Sequence, residues 1–169
     1  MNDEIFPLVD ERGNPIGSAR RSEVHGNPKL LHPVVHCLVT NRQGQLLLQR
    51  RSMNKDIQPG RWDTSVGGHV SLGETIEQAL LREMEEEIGL DGTSVTLKRL
   101  YQYIHRNAIE SELVTTYGCV SEGPFFRQEE EIDELLFWSP DDIRKALKSG
   151  VFTPNFEEEY GRYLEVFQR

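Results

Sequence analysis

The stretch "REMEEEIG" sets Glu83, Glu85, Glu86 and Glu87 among apolar residues that repeat with the period of a helix. Upstream, Ser71-Leu72-Gly73-Glu74 has capping-box spacing, which predicts a helix starting near Thr75, and Gly89 is a natural stop. At about 100° per residue, Ile76, Ala79, Leu80, Leu81, Met84 and Ile88 form one broad apolar arc. Glu83 and Glu87 fall inside that arc and Glu86 on its edge, whereas Glu85 belongs to the solvated face. Like charges at i,i+4 cost roughly 0.2–0.5 kcal/mol on an exposed helix and more when desolvated. Their place near the negative end of the helix dipole adds to that cost. A hard divalent cation removes it, because such ions take carboxylate and phosphate oxygens together. The spacing points to a metal site carried on a helix.

The rest of the chain limits what surrounds that helix. With 169 residues it suffices for one full core and is short for two. Apolar residues at 37% interleaved with 28% charged ones describe a soluble globular domain. No apolar run reaches the length of a bilayer span, so no membrane partner is expected. The opening "MNDEIFPLVD" lacks the basic-then-apolar order of a secretory signal, and a cytoplasmic location is the expectation. A formal charge of −9, with one tight basic cluster at Gln49-Arg50-Arg51, excludes a nucleic acid polymer and leaves room for one small phosphate compound. Cys37 and Cys119 sit in strand-like runs outside any Cys-x-x-Cys pair, as buried reduced thiols would.

Two extended runs around Glu11-Arg12-Gly13-Asn14 predict a hairpin, so residues 1–30 are expected to be an N-terminal extension and 31–169 the main unit. "HPVVHCLVT" and "GQLLLQRR", joined by Asn41-Arg42-Gln43-Gly44, predict a pair of central strands, and 95–104 and 112–120 predict further strands. Ser139 as cap, Pro140 at the first position and Gly150 as stop predict one helix, and residues 156–167 a last one. This order fits an α/β (α+β) domain layered around a mixed sheet.

At this point the sequence resembles a known family. The Nudix box is Gly, five residues, Glu, seven residues, then Arg-Glu-bulky-x-Glu-Glu-x-Gly-bulky. Gly68, Glu74, Arg82, Glu83, Met84, Glu86, Glu87, Gly89 and Leu90 satisfy every position. With the fixed residues at roughly one in fifteen each, a chance match at a given start is on the order of 10⁻⁸. The resemblance implies the Nudix fold, an α/β/α sandwich around a mixed sheet, and a hydrolase acting on nucleoside diphosphate derivatives. It implies that Glu83, Glu86 and Glu87 hold Mg²⁺ or Mn²⁺, that Arg82 orients the glutamates, and that a carbonyl of Gly67 or Gly68 completes the coordination. It also implies homodimers, which are common in the family. Such a metal activates water directly, so no covalent nucleophile is required. For the general base, Glu83 and the Glu129-Glu130-Glu131 run are candidates, although such a run is more often a solvated turn.

Outside the box the chain is similar to the isopentenyl diphosphate isomerases, a Nudix-fold branch, over most of its first 120 residues. That likeness implies a second metal site at His25, His32, His69, Glu110 and Glu112, and substrate diphosphate contacts at Arg51 and Lys55. It fails at the catalytic thiol, whose position is occupied by Gly67. Isomerases also lose the acid triad, which here is intact. Hydrolysis is therefore the expected activity, with an isomerase-like enzyme and a non-catalytic nucleotide-binding module as alternatives. Trp62, Tyr101, Tyr103 and Phe126 offer rings for a nucleobase, although aromatics in a domain of this size more often belong to its core.

Overall fold

The computed structural model describes residues 3–167. Strands β1 (Ile5–Val9) and β2 (Pro15–Arg20) form the N-terminal hairpin, followed by the short helix α1 (Arg21–Val24). Then come β3 (Leu31–Thr40), β4 (Leu46–Arg51), β5 (Trp62–Asp63) and β6 (Val66–His69), and the acidic helix α2 (Ile76–Ile88). The chain closes with β7 (Lys98–Arg106), β8 (Ser111–Val120), β9 (Ile132–Trp138), α3 (Pro140–Ala146) and α4 (Pro154–Phe167).

Nearly every residue of β3 is buried, because helices cover both faces of this central strand and no polar-out alternation is possible. Residues Val35, Cys37 and Val39 pack with Ala79, Leu80, Met84 and Ile88 of α2 on one side. On the other side Leu38 packs with Leu46, Leu48, Trp62, Ile143, Phe152, Phe156 and Tyr160, under α3 and α4. The result is the expected α/β/α arrangement. Both cysteines are buried and free, their sulfurs 3.9 Å apart. The hairpin lays Val9 against Leu31 and Leu113, and stacks Phe6 on His69 with ring centroids 4.6 Å apart.

The two runs read as a pair of central strands part company at their turn. β3 and β4 share one register pair, Thr40↔Leu46. Farther back, the same edge of β3 is taken by β6, antiparallel over Val34–Cys37, while its other edge pairs with β8 in parallel from Leu31 to Thr40. β4 is left to pair with β5 and β9. The mixed sheet is thus split between β6 and β4. Sequence reading did not foresee β9, whose start is masked by the acidic run before it, nor the Gly-rich β6.

Helix α2 is capped by Thr75, which accepts from Gln78 N–H at 3.1 Å while the Gln78 side chain returns to Thr75 N–H. Glu74 does not cap the helix; it accepts from Ser71 N–H at 3.0 Å and closes the turn before it. Gly89 ends α2 at φ 64°, a left-handed conformation that favours glycine. α3 stops at Ala146 rather than at Gly150, because Lys148 already takes φ 62°. Met84, fully buried beneath the glutamates, anchors α2 to the sheet. Truncating it in Met84→Ala is expected to cost about 2–5 kcal/mol in urea unfolding, with the m-value unchanged.

Candidate active site

Arg82 organises the acidic helix. Its guanidinium donates in bidentate fashion to Glu74, at 2.8 and 2.9 Å, and reaches Glu83 Oε1 at 2.8 Å, Glu86 Oε2 at 3.3 Å and the His69 carbonyl at 3.0 Å. Glu83 is only 13% exposed, whereas Glu86 lies at the rim with 52% of its side chain exposed. A Cβ on Gly68 would overlap the Glu83 carboxyl, so glycine is required for the carboxylate to lie over the β6 backbone. Burial pushes Glu83 above the usual carboxylate range despite Arg82.

Glu87 stands at the split in the sheet. Its Oε2 accepts from Gly67 N–H at 3.1 Å and from the Gln49 amide at 3.0 Å. Burial, reinforced by the charge of Glu83, pushes it up to about 8 against both hydrogen bonds. Arg51 and Lys55 come close together here: burial and then the Arg51 charge lower the Lys55 ammonium, and the charge of Glu87 opposes them. Lys55 pairs with Glu131, while Glu129 and Glu130 lie in an exposed turn. Arg51 Nε donates to the Ile57 carbonyl at 3.1 Å, and its Nη1 lies 3.7 Å from Asp63 Oδ2. Two residues at this place escaped the sequence reading. Asp63 is brought in by the pairing of β5 with β4, and Arg21 by the hairpin, near enough for its charge to act on Lys55 and His69.

A second cluster lies on the opposite face of β6. Ligand atoms of His25, His32, His69 and Glu110 all fall within 4.8 Å of one another. His25 Nε2 is 3.2 Å from His69 Nε2 and 3.4 Å from Glu110 Oε2, and neither buried ring nitrogen of His32 has a well-formed hydrogen bond. Burial lowers all three histidines, His69 most strongly, which keeps the rings neutral and available as ligands. Glu112, the register partner of His32, falls outside this group of four; burial and the neighbouring Glu110 carboxylate push it up to about 8. Glu110 itself precedes β8 rather than lying on it.

Beside that cluster is an ion pair that no motif announced. His36 Nδ1 is 2.6 Å from Glu159 Oε2, and the fully buried Glu159 also accepts from Thr116 at 2.7 Å and Tyr101 at 3.1 Å. Burial works against the imidazolium, but the Glu159 charge and hydrogen bond prevail and raise His36 to about 9. Glu159 is held below the usual range: burial opposes its charge, and His36 and the hydroxyl donors outweigh that. Among the four aromatics, Trp62 is core, Tyr103 is buried under Arg162, Tyr101 serves Glu159, and Phe126 is exposed on a loop.

Comparison with known proteins bears on this geometry. The model of the NUDIX domain family matches residues 30–156. An isopentenyl-diphosphate Delta-isomerase of Citrobacter koseri is 42% identical over 157 residues, covering 90% of this chain and 81% of that protein. An uncharacterised Nudix hydrolase of Yersinia pestis is 32% identical over 175 residues, covering 94% and 91%. The crystal structure of DR0079 from Deinococcus radiodurans superposes with a TM-score of 0.82 at 26% identity, over 94% of this chain and 98% of that one. Among the described residues no helix is long and apolar enough to cross a membrane.

The His36–Glu159 pair sets a stability profile. A raised histidine stabilises the fold fully below its unfolded value of 6.5, and the contribution is lost as pH rises through about 9. A depressed glutamate stabilises above its unfolded value of 4.5 and loses that as pH falls through its folded value. The stability gap between the native protein and His36→Gln is therefore expected to be widest near pH 5.5–6.5 and to shrink towards pH 9.5, as read by thermal melts across that range.

Proposed function

The chain belongs to the Nudix family and is a Nudix hydrolase, and on that premise we propose that it cleaves the diphosphate linkage of a nucleoside diphosphate derivative with the help of Mg²⁺ or Mn²⁺. One observation carries the proposal: Glu83 and Glu87, both raised by burial, converge beside β6 at a split where Arg51 and Lys55 supply positive charge. The residues fit a cation. Both donors to Glu87 land on Oε2, so Oε1 has no donor among the described residues, and the glycine at 68 leaves its backbone approachable. When bound, the cation would polarise the phosphoryl oxygens and lower the pKa of a water.

The remaining roles fall to the chain itself. Glu83, Glu87 and the rim carboxylate Glu86 would hold the cation together with the Gly68 carbonyl, and Arg82 keeps Glu83 and Glu86 aimed. Arg51 suits a planar guanidinium contact to a phosphate, with Lys55 as a point charge beside it. Arg21 adds a third cation on the hairpin side. In Glu87→Gln, hydrolysis of a panel of nucleoside and isoprenoid diphosphates, read by mass spectrometry, is expected to fall at least about a hundredfold. Panel compounds left intact by the native protein, despite measurable Mn²⁺ binding, would leave it a nucleotide-binding module.

A second reading is an isomerase-like enzyme, favoured by the His25–His32–His69–Glu110 cluster and opposed by the glycine at 67, which offers no thiol. Double-bond isomerisation of isopentenyl diphosphate by the purified protein would establish it. Under either reading the cluster is suited to a second divalent metal, with Glu112 beside it. Elemental analysis is expected to find about one tightly bound transition metal per chain, lost in His25→Ala together with thermal stability; a metal-free native protein refutes the assignment.

A further inference from the structure

We propose that Asp63 is the general base of this enzyme and takes a proton from the attacking water, an inference that rests on the hydrolase reading above. The placement follows from register. β4 and β5 are antiparallel with Gln49 opposite Asp63, and directly opposed residues project to one face with Cβ atoms about 5 Å apart. Gln49 spends its amide on Glu87 Oε2 and on the Ser65 carbonyl, each at 3.0 Å. Asp63 therefore stands beside Glu87 at the split between β4 and β6.

Glu83 Oε1 is engaged by Arg82, Glu87 Oε2 by two donors, and Glu131 by Lys55. Glu83 and Glu87 each keep one oxygen without a donor among the described residues, but those oxygens are the ones that would hold the cation, whereas Asp63 has no such role. Asp63 Oδ1 accepts from Thr64 N–H at 2.8 Å, which fixes the rotamer, while among the described residues Oδ2 has only Arg51 Nη1 at 3.7 Å, beyond hydrogen-bond reach. Arg51 is anchored separately by the Ile57 carbonyl, so it does not need Asp63 for its place. The side chain is 23% exposed, and water can reach it. Its charge is also felt by Glu87, by His36 and by Glu112, which agrees with its place near the Glu87 carboxylate.

The step balances with the chain's own groups. As the water oxygen bonds to phosphorus, the bond from that phosphorus to the bridging oxygen breaks and its electron pair leaves on the departing group. The water proton passes to Asp63 Oδ2 and from there to solvent. A phosphate held by Arg51 lies next to the carboxylate that must receive this proton, and the geometry precedes any adjustment of acidity.

The test compares the native full-length protein with Asp63→Ala on a nucleoside diphosphate that the native protein cleaves, measuring kcat, KM and, by electron paramagnetic resonance, Mn²⁺ affinity. The expected result is a kcat lowered about 10²- to 10⁴-fold, with KM and Mn²⁺ affinity within about twofold and partial restoration of kcat by added formate. A raised KM at unchanged kcat would make Asp63 a positioning partner of Arg51, and weakened Mn²⁺ binding would make it a ligand; either overturns the proposal, as does an unchanged kcat. Should the alanine variant fail to fold, the near-isosteric Asp63→Asn is judged by the same kcat, KM and Mn²⁺ criteria. A native protein that cleaves no diphosphate sinks the hydrolase reading and this inference together, whereas an active native protein with an equally active variant sinks this inference alone.

Discussion

A strand edge can be hydrogen-bonded once, and the candidate site follows from how β3 divides that edge. β6 takes it over Val34–Cys37, which leaves β4 joined to β3 only at Thr40↔Leu46. The gap so created leaves the Gly67 N–H without a strand partner on its outer side, and Glu87 supplies the acceptor, with Gln49 reaching across from β4. A carboxylate is thereby fixed at an opening in the sheet, with Arg51 of β4 and Asp63 of β5 at its margin. The satisfaction of one backbone donor and the position of the chemistry are the same event.

Within that opening the charges are arranged asymmetrically. Arg82 offsets Glu83 directly and also pairs with Glu74 and Glu86, so its single positive charge is shared among three carboxylates. Glu87 has only the neutral donors Gly67 N–H and the Gln49 amide among the described residues, and burial together with the Glu83 charge raises its proton affinity against both. The position least compensated by the protein is the one with most to gain from an external cation. This is the electrostatic form of the puzzle posed by the sequence: the apolar arc of α2 carries two carboxylates, and only one of them is paid for by an arginine.

Much of this was legible beforehand, and for local reasons. The helix limits, the left-handed stop at Gly89 and the N-terminal hairpin follow from patterns within short stretches, whereas the grouping of His25, His32 and His69 with Glu110 was implied only by the likeness to the isomerases, which also included Glu112. What stayed hidden depends on long-range pairing. Asp63 joins Glu87 through the β4–β5 register, Arg21 through the hairpin docking, and Glu159 meets His36 across 123 positions of sequence. Each looks like an ordinary surface charge in its own window, and no periodicity distinguishes Glu159 from the adjacent Glu157 and Glu158. The split between β3 and β4 was hidden for a related reason. A turn sequence tells where a chain reverses, while which strand then occupies the edge is decided by competition among distant segments.

The likeness to isomerases and the hydrolase box meet at residue 67. A Cβ there would come 3.1 Å from His36 Cδ2 and 3.3 Å from Nε2, closer than side-chain packing normally allows. His36 cannot readily yield, because Glu159 holds its other nitrogen and is itself fixed by Thr116 and Tyr101. Gly67 is therefore more than a missing thiol. The space that a thiol would need is taken by the edge of a charged imidazole, and that imidazole belongs to a hydrogen-bonded network reaching from α4 to β7 and β8. An apolar chain laid over β6 at this point would meet a cation and its carboxylate partner instead of a hydrocarbon wall, an environment suited to a polar group. The glutamates of α2 thus lie over one face of β6 and a buried ion pair lies against the other, and the position of the isomerase thiol is closed by the packing of the domain as well as by the glycine itself.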